Sequence, residues 1–147
     1  MNWTEGSGRI WLRDGVIHYR STTFGDWDLP LASVRIIGES TNESGPFFDD
    51  YFFCFATGPE MWFQASFYAR GRDAFLEELS RTLGCKISAG LCHSTGFASR
   101  VIWPASLAEQ PMFQFNNQPT KSLIGRLFRL SSVMQTYSES VSRLLAK

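Results

Sequence analysis

The chain is 147 residues long, with fourteen Lys/Arg against fourteen Asp/Glu. That length fits one domain with its own core, and the even charge lacks the basic excess of a dedicated nucleic-acid binder. Thirteen Phe, five Trp and four Tyr make a heavy aromatic load, which favours strands and large buried areas.

The first local signal is Ile10-Trp11-Leu12-Arg13-Asp14-Gly15-Val16-Ile17-His18-Tyr19. Two β-prone runs flank an Asp-Gly step that tolerates the positive φ angles of a tight turn, which predicts a hairpin of strands near 8–13 and 16–21. A short strand at 26–29 ends at Pro30, a residue with no N–H to give to a ladder. Ser33 to Glu39 reads as a strand, and the polar stretch from Thr41 to Pro46 as a loop.

Tyr51-Phe52-Phe53-Cys54-Phe55-Ala56 is apolar at every position, the pattern of a central strand covered on both sides. After Gly58-Pro59, the residues Met61, Phe63, Ala65 and Phe67 alternate with their neighbours, which predicts a second hairpin. Between Asp73 and Leu83 the period changes. Phe75, Leu76, Leu79 and Leu83 share a helical face, with Asp73 near the start and Gly84 past the end. Residues 85–96 read as a loop, Arg100–Trp103 as a strand stopped by Pro104, Met112–Phe115 as a short strand, and Asn116–Pro119 as a turn.

Thr120 suits a helix N-cap, and Leu123, Leu127, Leu130, Met134, Tyr137, Val141 and Leu144 follow at alternating steps of four and three. This heptad seam predicts a helix over 121–146, about 39 Å long at roughly 1.5 Å per residue. The seven seam residues form the expected interface, in cis or with a second copy. The chain thus divides into 8–84 (sheet and first helix), 85–119 (loop and short strands) and 120–147 (C-terminal helix), within a single domain 1–147. The fold class expected is α+β: an antiparallel, bent sheet or partial barrel, one packing helix and the long C-terminal helix.

The hairpin around Asp14-Gly15, then Trp27-Asp28-Leu29-Pro30-Leu31-Ala32-Ser33-Val34-Arg35-Ile36-Ile37, then strands and a helix within 51–83, resembles bacterial PH-like domains over residues 8–84. The resemblance implies a bent antiparallel sheet capped by a helix and used for binding or scaffolding. It implies no catalytic residue. The Lys/Arg cluster of phosphoinositide-binding members is missing from the first hairpin loop, Arg13-Asp14-Gly15.

Chemistry has few footholds. Cys85, Cys92 and His93 lack the two-to-four-residue spacing of zinc ligands. Cys92 beside His93 has no orienting acid in its sequence context. Asp49 and Asp50, and Asp26 and Asp28, are paired acids that also solubilise sheet ends. Asp50, Cys92 and His93 are the polar candidates; no cofactor, metal or catalytic residue is assigned.

The charge is unevenly distributed. Residues 1–84 hold seven Lys/Arg and twelve Asp/Glu, a balance of −5, whereas 85–147 hold seven and two, a balance of +5. Such a split suits internal packing or association. Three odd cysteines make no secreted disulfide framework. The N-terminus lacks the basic and apolar regions of a secretion signal, and no apolar run spans a membrane. A cytoplasmic location follows as the expectation, with a protein partner or self-association and without nucleic acid or membrane. The leading function expected is a non-catalytic interaction or scaffolding protein, dimerising through the C-terminal helix. The alternatives are a toxin-neutralising, immunity-type protein and a small-ligand binder or enzyme with a pocket of Trp11, Trp27, Trp62 and Trp103.

Overall fold

A computed structural model describes residues 6–42, 49–59, 61–91, 97–118 and 132–146, with side chains placed except at 115–118 and 132–135. It is an α+β structure of three antiparallel sheets, and the sheets do not close into a barrel.

The first sheet is the expected hairpin plus one strand: β1 (Arg9–Arg13), β2 (Val16–Arg20) and β3 (Trp27–Pro30), in that order. Asp14 and Gly15 take φ of 52° and 75°, the two positive values a tight hairpin turn requires. Ile10, Ile17, Tyr19 and Leu29 point inward and are buried. The second sheet has the order β6-β5-β4-β7, from β4 (Ile36–Thr41), β5 (Tyr51–Gly58), β6 (Met61–Ser66) and β7 (Ala98–Trp103). The strand expected at 33–39 starts only at Ile36, because Leu31–Ser33 form a 3-10 turn that carries the chain from one sheet to the other.

Helix α1 (Arg72–Leu83) buries Phe75 and Leu79 against the first sheet, with Leu83 partly covered. Its N-cap is Gly71 and not Asp73, since the chain enters the helix through φ 81°. There a Cβ would sit 2.8 Å from the Ile10 carbonyl oxygen. The helix leaves through Gly84 at φ 70°, as expected.

The C-terminal region corrects the sequence reading. Phe113–Gln118 is a strand, β8, and runs through Asn116, Asn117 and Gln118 of the turn expected at Asn116–Pro119; Pro119 lies outside the described residues. Ser132–Tyr137 is a strand, β9, paired antiparallel with β8 from Phe113↔Tyr137 to Gln118↔Ser132. A continuous helix over 121–146 is therefore not formed. Only Glu139–Leu145 is helical, as α2. Leu123, Leu127 and Leu130 lie outside the described residues.

The seven residues of α2 are too few for a stable isolated helix, and capping compensates. The Ser138 side chain accepts from the Val141 N–H, Glu139 and Arg143 sit in the first and last turns, and Arg35 donates to the carbonyls of Leu145 (2.8 Å) and Leu144 (2.7 Å). A cation on those carbonyls complements the helix dipole.

β5 explains the layering. Phe53 and Phe55 face a core shared with the first sheet and α1, while Phe52, Cys54 and Ala56 face a second core with Val101, Met112, Phe113, Tyr137, Val141 and Leu145. The central strand covered on both sides is thus as expected. Gly38 lets the second layer approach, because a Cβ there would lie 2.3 Å from Met112 Sδ. Among the described residues, no helix is long and apolar enough to cross a membrane.

Candidate interaction site

Three residues of the expected seam pack inside the molecule. Tyr137 and Val141 are buried in the second core and Leu144 packs on it. Met134 stands opposite Asn116 in the β8–β9 ladder. Tyr137 also stacks on Phe113 at 5.6 Å and donates to the Met61 carbonyl at 2.7 Å; burial holds its phenol pKa above the usual range.

The polar candidates sit apart from one another. Asp50 ends the loop before β5 and accepts from the Tyr68 hydroxyl at 2.8 Å. Asp49 accepts from the Ser66 hydroxyl at 2.6 Å. Cys92 and His93 lie outside the described residues. Cys54 is fully buried, which pushes its thiol pKa up to about 12, and Cys85 is exposed. Among the described residues, no group of three or more His, Cys, Asp or Glu is placed to hold a metal ion.

One polar cluster was missed by the sequence reading. Glu39 on β4 is completely buried. Its Oε1 accepts from the Tyr51 hydroxyl at 3.0 Å and the Gly90 N–H at 2.8 Å. Its Oε2 lies 3.4 Å from Arg100 Nη2. Arg100 also reaches Glu109 and the Ser88 carbonyl, and Tyr51 in turn accepts from the Leu91 N–H. Burial opposes the Arg100 charge, but Glu39 and Glu109 outweigh it and hold the guanidinium above its ordinary pKa. The backbone of Gly90 lies on the guanidinium, so that a Cβ would meet its atoms at 2.9 Å. The arrangement fastens the 88–91 loop to the sheet. The available signal was a Glu in the middle of a strand and an Arg ahead of Val101-Ile102-Trp103.

The outer face of the first sheet carries a second cluster. Trp11 stacks on His18 at 5.1 Å, the Arg9 guanidinium lies 4.8 Å from the Trp11 ring, and Asp28 binds His18 Nδ1 at 2.6 Å and Arg20 at 2.9 Å. The hydrogen bonds from His18 and Arg20 hold the Asp28 carboxyl below its ordinary pKa. Cross-strand pairs of this kind stabilise a sheet surface.

The four tryptophans expected to line one aromatic pocket are divided among different parts of the fold. Trp11 lies on that outer face and Trp103 packs on the first core. Trp27 and Trp62, with Phe24, Phe52, Phe63 and Gln64, line an open groove of about 260 Å³. Trp27 rests on Phe63 at 5.5 Å and Phe55 at 5.8 Å, and its indole N–H donates to the Gln64 carbonyl at 2.9 Å. Phe24, in the loop before β3, meets Phe52 edge-on at 5.2 Å. Phe24 is 40% exposed and Met61, at the start of β6, 57% exposed.

The groove follows the outer edge of β6. In an antiparallel pair the N–H and C=O of one residue point to the same side. The Phe67 N–H bonds to the Tyr51 carbonyl, so Phe63, Ala65 and Phe67 turn their backbone toward β5. Trp62, Gln64 and Ser66 turn theirs outward. Three of these outward groups are occupied: the Gln64 C=O by Trp27, the Ser66 N–H by the Tyr19 hydroxyl, and the Ser66 C=O by the Ala69 N–H. Two other sheet edges are engaged by neighbouring backbone. β1 bonds to Arg70, and β7 bonds to Glu109 and Gln110. Among the described residues, the Trp62 end of β6 is therefore an aromatic, unpaired sheet edge, a feature that folded proteins usually blunt. Comparison with family models, with curated proteins and with solved structures finds no match for this chain.

Proposed function

We propose that this chain is a non-catalytic interaction module that holds a protein partner against the aromatic edge of its central sheet. One observation carries the reading: the groove of Phe24, Trp27, Phe52, Trp62, Phe63 and Gln64 is open and lined by five aromatic side chains, and the large apolar side chains of Phe24 and of Met61, next to Trp62 in β6, are exposed. Burying such side chains on a partner stabilises a complex by about 25 cal/mol per Å² of apolar area, and aromatic anchors dominate interfaces. The polar clusters are engaged in holding the fold: Glu39 and Arg100 fasten a loop, and Asp49 and Asp50 tie down Ser66 and Tyr68. The PH-like resemblance points the same way, toward binding without catalysis. Dimerisation through the heptad seam loses its support at Tyr137, Val141 and Leu144, which pack within the chain.

The test is a comparison of Phe24→Arg and Met61→Arg with Phe97→Arg, a change at an exposed aromatic outside the groove. A host protein retained by the native chain and by Phe97→Arg, and released by both groove variants, supports the reading. Equal retention by all four chains sinks it.

A further inference from the structure

We infer that the groove along β6 takes an extended peptide segment of a partner protein, with apolar side chains at alternate positions and Lys or Arg at its flanks, added as a short antiparallel strand. The inference rests on the interaction-module reading and names the site and the ligand chemistry.

The backbone supplies the first argument. The Trp62 N–H and C=O and the Gln64 N–H point outward into the groove by strand alternation, next to the Gln64 C=O that Trp27 takes. Among the described residues, no partner reaches these three groups. An added strand pairs one of its residues with Trp62 through two hydrogen bonds and accepts a third from Gln64. Trp27 ends the ladder there, because its indole occupies the next acceptor.

The side chains supply the second argument. A strand presents alternate residues to opposite faces. The groove offers Phe63 and Trp27 on the face of the first core, and Trp62 and Phe52 on the face of the second. Apolar residues at alternate positions of the incoming segment therefore have rings to pack on, and Phe24 adds a wall.

Charge sets the flanks. Asp26, exposed, adjoins Trp27 in the chain, and Asp49 bonds to Ser66 at the end of β6; the Arg20 guanidinium, which donates to the Trp27 carbonyl at 3.1 Å, is paired with Asp28 at 2.9 Å. The first 84 residues carry a balance of −5. A basic flank is attracted to such a rim, and an acidic one is repelled.

The test uses a fluorescein-labelled decapeptide in which Val and Thr alternate between two Lys-Arg pairs, read by anisotropy against the full chain. Saturable binding is expected, weakened about tenfold when Glu replaces the four basic residues. Gln64→Pro removes the outward N–H without touching the β5 ladder and is expected to weaken binding about tenfold. Phe24→Arg, at a position 40% exposed, is expected to do the same while the chain still melts in one cooperative transition. No saturable binding, or binding indifferent to Gln64→Pro and Phe24→Arg, overturns the strand-addition inference. Host-protein retention that still depends on Phe24 and Met61 would then leave the module reading standing. Preference for the Glu-flanked peptide overturns the assigned ligand chemistry. A further peptide with the chain's own residues 120–131 is expected to bind no more tightly than the model peptide. Binding more than tenfold tighter overturns the assignment to a separate partner, in favour of the chain's own segment, from the same molecule or a second copy.

Discussion

Arg100→Met isolates the value of the buried ion pair. Methionine fills much of the space of the Arg stem but leaves Glu39, whose side chain is 0% exposed, without a counter-charge. The carboxylate keeps the Tyr51 hydroxyl at 3.0 Å and the Gly90 N–H at 2.8 Å, and these offset part of the loss. Removing one partner of a buried pair costs about 3–5 kcal/mol, because the other charge stays behind in a medium that solvates it poorly. The contact to Glu109, 74% exposed, adds at most about 1 kcal/mol. The expected destabilisation is about 3–4 kcal/mol, a large share of the roughly 5–15 kcal/mol that holds a domain folded. With a urea m-value of about 2 kcal/mol/M, the midpoint followed by tryptophan fluorescence falls by about 1.5–2 M. Glu39→Met is milder, since Arg100 keeps Glu109 and the Ser88 carbonyl. The double variant loses at least about 2 kcal/mol less than the sum of the singles, because no charge is stranded. A loss under about 1 kcal/mol for Arg100→Met, or an additive cycle, would refute the reasoning.

Four further outcomes are expected. Gly38→Ala forces a Cβ onto Met112 Sδ and the Arg100 carbonyl, and destabilises by about 1–3 kcal/mol in the same urea assay. Cys54, with its thiol pKa near 12, resists a thiol reagent at pH 8 until the chain unfolds, whereas exposed Cys85 reacts at once; mapping the labelled peptides decides. The raised Cys54 pKa also contributes stability that is present below the unfolded thiol's pKa and lost as pH climbs from there toward about 12, so Cys54→Ala flattens the alkaline limb of a stability–pH curve. Asp28 titrates below the ordinary carboxylate range because His18 and Arg20 hydrogen-bond to it. Carboxyl NMR titration should place it higher in His18→Leu, and an unchanged midpoint counts against that origin.

Local chemistry made much of the fold legible. Asp14-Gly15 announced the first hairpin because both residues accept positive φ, and Gly84 marked the end of α1 for the same reason. β5 was legible because a strand without a polar face has nowhere to sit but between two layers. The helix expected over 121–146 gives way to a strand at Ser132–Tyr137 for a physical reason. Tyr137, Val141 and Leu144 keep helical spacing, yet Ser132–Tyr137 is rich in β-formers and finds a full ladder partner in β8. A pairing between segments so far apart overrides a local period, and the sequence carries no sign of it. The same holds for the candidate site. The aromatic content pointed to a pocket, but which tryptophans share it depends on sheet order. Glu39 and Arg100, 61 positions apart, meet only because β4 and β7 are neighbours.

β5 serves as a party wall between two interiors. Removing everything after Pro111 would strip the covering from Phe52, Cys54, Ala56 and Ile36, all at most 9% exposed, and leave a wet, greasy face. Residues 8–84 are thus not a unit that can be excised and remain well behaved, although the PH-like resemblance ends there. A change made in either interior is transmitted through one shared strand to the other, which ties the two halves of the chain into one melting event.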